Sequence, residues 1–125
     1  MDFKLNEIFG QFENLEKTYT TERLILQREI TPDAVSNEYS ILLKESNQKI
    51  GTVLLIFDGE IWYKVYESFQ KNGYATEAVS KLIDASKQTE FYLSIEWTNR
   101  ASRKVAKKLG FKFKNRIGNS LIYSK

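Results

Sequence analysis

The sequence predicts an α+β fold, a mixed and mostly antiparallel sheet with one parallel crossover, flanked by helices. Three observations predict it. Residues 40–66 read as three β-rich runs joined by short turns, an apolar stripe at helical spacing begins just after Gly73, and apolar–polar alternation returns from Phe91 to Trp97. Strand, helix and strand in succession make a right-handed crossover, which sets the last strand parallel to the first. The 125 residues suit a single domain, 1–125, and 42% apolar content with 14% aromatic content supplies one core.

Taken in order, Leu5, Ile8, Phe9, Phe12 and Leu15 recur at helical spacing, so residues 3–16 are expected to form a short amphipathic helix. Leu24-Ile25-Leu26 reads as a strand, and Thr31-Pro32-Asp33 as a turn or helix start. Ser40 to Lys44 and Ile50 to Phe57 are strands on either side of the polar turn Ser46 to Lys49. Asp58-Gly59, just before the β-rich Ile61 to Tyr66, predicts a type I′ hairpin, whose two central residues both need φ > 0. Ala75, Ala78, Val79, Leu82 and Ile83 form the packed stripe of a helix over 75–87. Phe91, Leu93, Ile95 and Trp97 alternate as a strand, after which Thr98 or Asn99 can cap a second helix. That helix carries Ala101, Val105 and Leu109 on one face and stops at Gly110; Phe111 to Tyr123 closes with a short hairpin.

The chain has no cysteine and no histidine. This excludes disulfides, Cys/His zinc sites, cysteine nucleophiles and Ser-His triads, and no metal site is expected. Acid–base work falls to Asp, Glu, Tyr, Lys, Ser or the backbone. The net charge is +3, with Arg100, Arg103, Lys104, Lys107, Lys108, Lys112 and Lys114 gathered late in the chain. Their helical members spread over much of the circumference, as a solvated face would, and no aromatic stacking motif accompanies them, so no nucleic-acid partner is expected. The same cations could attract an anionic cofactor. No stretch approaches the roughly 18–20 apolar residues of a membrane span, and the N-terminus lacks a signal-peptide pattern. The expectation is a cytoplasmic protein with no membrane partner.

The loop Gln70-Lys71-Asn72-Gly73-Tyr74-Ala75 leads from a strand into a helix. A helix start offers unpaired N–H groups and suits an anion. Gly73 lets backbone approach a phosphate without a Cβ in the way, Ala75 is small, and Lys71 adds charge. Alone, the pattern describes equally well a glycine easing an ordinary turn. Its neighbours narrow the choice. Thr21-Glu22-Arg23-Leu24-Ile25-Leu26 precedes it; Glu67-Ser68-Phe69 and Thr76-Glu77-Ala78 flank it; Asn99-Arg100-Ala101-Ser102 and then Leu109-Gly110-Phe111 follow. In these stretches the chain resembles the GNAT N-acetyltransferases, and among them the ribosomal-protein N-terminal acetyltransferase type.

The resemblance implies a central parallel strand pair splayed around the cofactor acetyl-CoA. It implies that the backbone from Gln70, Lys71, Asn72 and Gly73 through Tyr74, Ala75 and Thr76 holds the pyrophosphate. The strand end at Val65 would pair with the pantetheine, and Asn99 and Ser102 would lie near pantetheine and thioester. The implied reaction is direct attack of a primary amine (a protein N-terminus, a lysine or a small amine) on the thioester in a ternary complex. Glu60 matches a strand position where some members carry a catalytic glutamate, so it is the candidate base; otherwise it is a polar residue beside a hairpin turn. Glu96 is a weaker rival. Backbone N–H groups near Val65 and Tyr66 are candidates to polarise the carbonyl. Ser102 corresponds to a serine proposed to protonate the departing thiolate; otherwise it is a first-turn residue touching cofactor or backbone. The tyrosine common elsewhere in the family maps to Ala106. The chain departs from the family between its first and second strands, where about ten residues, Thr31 to Tyr39, stand in place of two helices that wall the acceptor site. That shortening leaves open a second function, an acetyl-CoA-binding module without catalysis. It also uncovers one sheet face, from which a homodimer is expected.

Overall fold

The computed structural model describes residues 15–29 and 36–125. In chain order these form β1 (Thr18–Thr20), β2 (Leu24–Arg28), β3 (Ser36–Leu43), β4 (Lys49–Ile56), β5 (Ile61–Val65), a 3-10 turn (Glu67–Phe69), α1 (Tyr74–Ala85), β6 (Tyr92–Glu96), α2 (Arg100–Lys108), β7 (Lys112–Ile117) and β8 (Ser120–Ser124). Strands β1 to β5 make an antiparallel sheet in sequence order, and a second sheet has the order β6-β8-β7. The two meet at one parallel bridge, Glu60 with Tyr92. There the Tyr92 N–H donates to the Gly59 carbonyl at 3.0 Å. Beyond that bridge β5 and β6 do not pair, so the parallel strands part.

Strand register decides which side chains meet α1. Leu24 and Leu26, Tyr39 and Ile41, Val53 and Leu55, and Ile61 and Val65 fall on one face. All are buried there, as are Ala78, Val79 and Leu82 of α1. Alternation sends Ile25, Leu42, Leu54, Ile56 and Trp62 to the opposite face, where burial is only partial and Trp62 is 55% exposed. Leu93 and Ile95 of β6 and Ala106 of α2 extend the same core under the second sheet.

Several expectations change in detail. Asp58-Gly59 is not a type I′ turn: Gly59 has φ 96°, whereas Asp58 is not among the residues with positive φ. The Gly59 N–H donates to Ile56 O at 2.9 Å and the Ile56 N–H to Glu60 O at 2.8 Å, closing a three-residue loop. One left-handed glycine at its end supplies the twist, so Asp58 keeps ordinary backbone and its carboxylate accepts from the Glu60 N–H at 3.0 Å. The expected helix 3–16 and the Thr31-Pro32-Asp33 turn fall outside the described residues, apart from Leu15 and Glu16. Those two are not helical: Leu15 is a core residue, and the Glu16 carbonyl accepts the Tyr39 hydroxyl at 2.5 Å.

One buried group is unpaid. Asn37 of β3 is 1% exposed on the α1 side of the sheet, and neither of its amide atoms has a partner among the described residues. An unpaired buried amide costs about 1–3 kcal/mol. Asn37→Leu, similar in size, is therefore expected to raise the unfolding free energy by about 1 kcal/mol or more, read by urea denaturation.

Candidate functional site

Where β5 and β6 part, α1 and α2 begin, and between them lies a cleft of about 760 Å³. Its walls are the end of β5 (Tyr63 to Val65), the loop and first turn of α1, and the outer face of α2 from Asn99 to Lys108. The loop owes its shape to two left-handed residues, Lys71 at φ 66° and Gly73 at φ 81°. Such alternation turns successive N–H groups toward one concavity, a nest that favours anions. None of the N–H groups from Lys71 to Thr76 has an acceptor among the described residues. These are orphan donors at the positive end of α1.

The side chains of the loop do a different job. Gln70 Nε2 donates to the Val65 carbonyl at 2.9 Å, and Asn72 Nδ2 donates to the carbonyls of Phe69 and Gln70 at 3.1 Å each. Both amides brace the loop from within. Asn72 does not reach the cleft wall, unlike Gln70, Lys71, Gly73, Tyr74, Ala75 and Thr76.

The wall is cationic. Lys64, Lys71, Arg100, Lys104 and Lys108 line it, and no aspartate or glutamate does. The even spread expected for the α2 cations is therefore only half right. Arg100, Lys104 and Lys108 share the cleft side because they are four residues apart. That spacing was the available signal. Arg103 turns away, its Nη1 on the Trp97 carbonyl at 3.4 Å.

At the start of α2, Asn99 is the N-cap, its Oδ1 accepting the Ser102 N–H at 3.0 Å. Ser102 stands on the wall, and its carbonyl accepts the Tyr63 hydroxyl at 3.3 Å. Burial pushes the Tyr63 hydroxyl above its ordinary 10, partly offset by the Ser102 side-chain hydroxyl, so it is a neutral donor inside the cleft. In the sequence Tyr63 is only one member of the β-rich run Ile61 to Tyr66, with no signal that sets it apart. Of the two amides expected to polarise a carbonyl, Tyr66's is taken by Ile50 O at 2.8 Å. Alternation leaves the Val65 N–H on the cleft edge of β5.

Glu60 lies outside the wall, at the point where the strands part. It is three residues from Tyr63, roughly 10 Å along an extended strand. Its Oε1 is 3.3 Å from the Tyr92 hydroxyl, which sits 2.6 Å from Asp58 Oδ2. The hydrogen bond to Asp58, then burial and the two nearby carboxylates, push the Tyr92 hydroxyl well above its ordinary value. Glu96 is exposed on β6 and is not part of the wall.

Behind the loop, the Glu77 carboxylate ties α1 to the start of β2. It accepts from the Thr21 hydroxyl, from the Arg23 N–H at 2.9 Å and from Arg23 Nε at 2.8 Å. Burial would raise its pKa, but these three hydrogen bonds and the Arg23 charge together hold it below the ordinary 4.5. A carboxylate depressed in the folded state contributes stability above its unfolded pKa, lost as pH falls through the folded one. Unfolding temperature is thus expected to drop below pH 4.5, and Glu77→Gln to flatten that part of the profile.

Among the described residues no helix is long and apolar enough to cross a membrane, and no His, Cys, Asp or Glu cluster could hold a metal ion. A family profile described as the acetyltransferase (GNAT) domain matches residues 6–112. The structure of an acetyltransferase from Agrobacterium tumefaciens superposes with TM-score 0.76 at 18% identity, covering 89% of this chain and 95% of that one. A ribosomal-protein-S5-alanine acetyltransferase from Vibrio fischeri gives 0.70 at 15%, covering 88% and 96%. A microcin self-immunity acetyltransferase, solved with acetyl-CoA and AMP, gives 0.61 at 24%, covering 72% of this chain and 60% of that one. Among curated protein sequences, none matches.

Proposed function

The chain belongs to the GNAT acetyltransferase family, and on that premise we propose how its cleft moves an acetyl group from acetyl-CoA to a primary amine. One observation carries the reading: unclaimed backbone N–H groups at the start of α1 face a cleft lined by five cations and no carboxylate. That donor set fits the phosphates of coenzyme A. When bound, acetyl-CoA supplies a thioester carbonyl open to direct attack.

The residues divide the work. The amides from Lys71 to Thr76 hold the pyrophosphate, with the Lys71 side chain beside them; the Gln70 N–H, expected to join them, is taken by Glu67 O at 3.2 Å. The Val65 N–H pairs with the pantetheine, and Asn99 contributes its free Nδ2. α1 closes one face of the sheet, so the amine enters from the other, where alternation places Glu60, Trp62 and Lys64. Glu60 takes a proton from the incoming ammonium through a water, since it stands at the mouth and not on the wall. Ser102 Oγ gives a proton to the departing thiolate. The acceptor is a protein N-terminus, a lysine or a small amine; the name of the Vibrio fischeri neighbour speaks of a ribosomal-protein alanine. Thiol release from acetyl-CoA, measured across a panel of such amines, tests this. Release that depends on the amine is expected. Saturable cofactor binding without any such release would favour a binding module instead.

The partly buried Ile25, Leu42, Leu54 and Ile56, on a face that no described element covers, support a homodimer formed across its β2–β4 part, beside the amine's entrance at β5. Light scattering at micromolar concentration is expected to return twice the chain mass of 14.6 kDa; a monomer alone would contradict it.

A further inference from the structure

Glu77 is an awkward residue to find in the first turn of α1. A carboxylate there suits the helix dipole, but it stands one turn from the place where the loop receives an anion. Arg23 answers the conflict. Its Nε lies 2.8 Å from Glu77 Oε1, its guanidinium carbon sits 4.4 Å above the Tyr74 ring, and its Nη2 is 3.5 Å from where a Cβ on Gly73 would be. One side chain from the start of β2 therefore touches Tyr74 and Glu77 and passes beside the position a Gly73 Cβ would take. Arg23 does not line the cleft, whereas Gly73 and Tyr74 do. Among the described residues, Arg23–Glu77 is the one ion pair.

We infer that Arg23 is a positioning residue for the cofactor's phosphates: it cancels the Glu77 charge and fixes the turn whose amides bind the anion, without touching the anion itself. The inference rests on the reading of the loop as the pyrophosphate site. The contacts allow charge and scaffold to be separated. Arg23→Ala removes the cation, yet the main-chain N–H at 23 and the Thr21 hydroxyl still reach Glu77. Helix α1 stays docked while its carboxylate becomes uncompensated. Glu77→Gln keeps an oxygen acceptor and removes the charge.

The test is calorimetric titration of acetyl-CoA into the wild-type chain, Arg23→Ala, Arg23→Lys, Glu77→Gln and the double variant Arg23→Ala/Glu77→Gln. Arg23→Ala is expected to weaken binding about tenfold, as an unscreened charge a turn from the ligand would. The loss should shrink with added salt. Arg23→Lys is expected to retain most of the affinity, and Glu77→Gln alone to bind no more weakly than wild type. The double variant is expected to recover most of what Arg23→Ala lost. Wild-type affinity in Arg23→Ala, or a double variant as weak as that single one, would overturn the inference. Should Arg23→Ala fail to fold, Arg23→Lys against Arg23→Gln poses the same question, with loss expected only in the latter. No binding by the wild-type chain would instead refute the site on which the inference rests.

Discussion

Glu60→Gln is expected to lower kcat by about 100- to 10,000-fold while leaving acetyl-CoA affinity unchanged. Glutamine keeps the shape and can still accept from the Tyr92 hydroxyl, so the place where β5 and β6 part is preserved. What it loses is the capacity to take a proton, which an ammonium must give up before its nitrogen can attack. Ser102→Ala is expected to slow turnover in the same affinity-neutral way. If both variants keep the full rate, the proton roles are wrong. The Tyr63 hydroxyl, already on the Ser102 carbonyl at 3.3 Å, is then the next donor to replace.

Gly51→Ala is expected to cost about 3 kcal/mol of stability, the upper end of what overpacking does. Gly51 pairs with Val65 across β4 and β5. A Cβ there would lie 2.1 Å from the Lys64 carbonyl oxygen and 3.0 Å from the Val65 Cα. Both obstacles are backbone, so no rotamer change relieves them, and β5 must shift. Lys64 and Val65 also form part of the cleft wall. Urea unfolding should therefore show the stability loss, and the fraction that still folds should bind acetyl-CoA more weakly. An alanine variant as stable as wild type would mean that β4 and β5 do not approach as closely as these distances require.

Elements whose reason is local could be read from the sequence. The apolar stripe from Ala75 to Ile83 located α1, and the Asn99 cap with Gly110 located α2, because periodicity and caps act within a few residues. Strand β1 was not legible. Thr18–Thr20 is short and half polar, and it owes its place to pairing with Leu24–Arg28. The site divides the same way. The loop from Gln70 to Ala75 showed itself through glycine and its helix start, but the left-handed Lys71 did not. Arg23 and Glu77 are 54 positions apart, and nothing in either segment alone announces that they meet. The resemblance spoke only for the backbone of Gln70 and Asn72; that their side chains brace the loop, donating to carbonyls within it, was not legible.

The central claim is that the cleft between β5, α1 and α2 holds acetyl-CoA by its phosphates. Titrating acetyl-CoA into the wild-type chain and following the heat tests it most directly. Saturable binding of one molecule per chain, weakened by salt as a five-cation cleft requires, is the expected result. No heat at high micromolar concentration would contradict it.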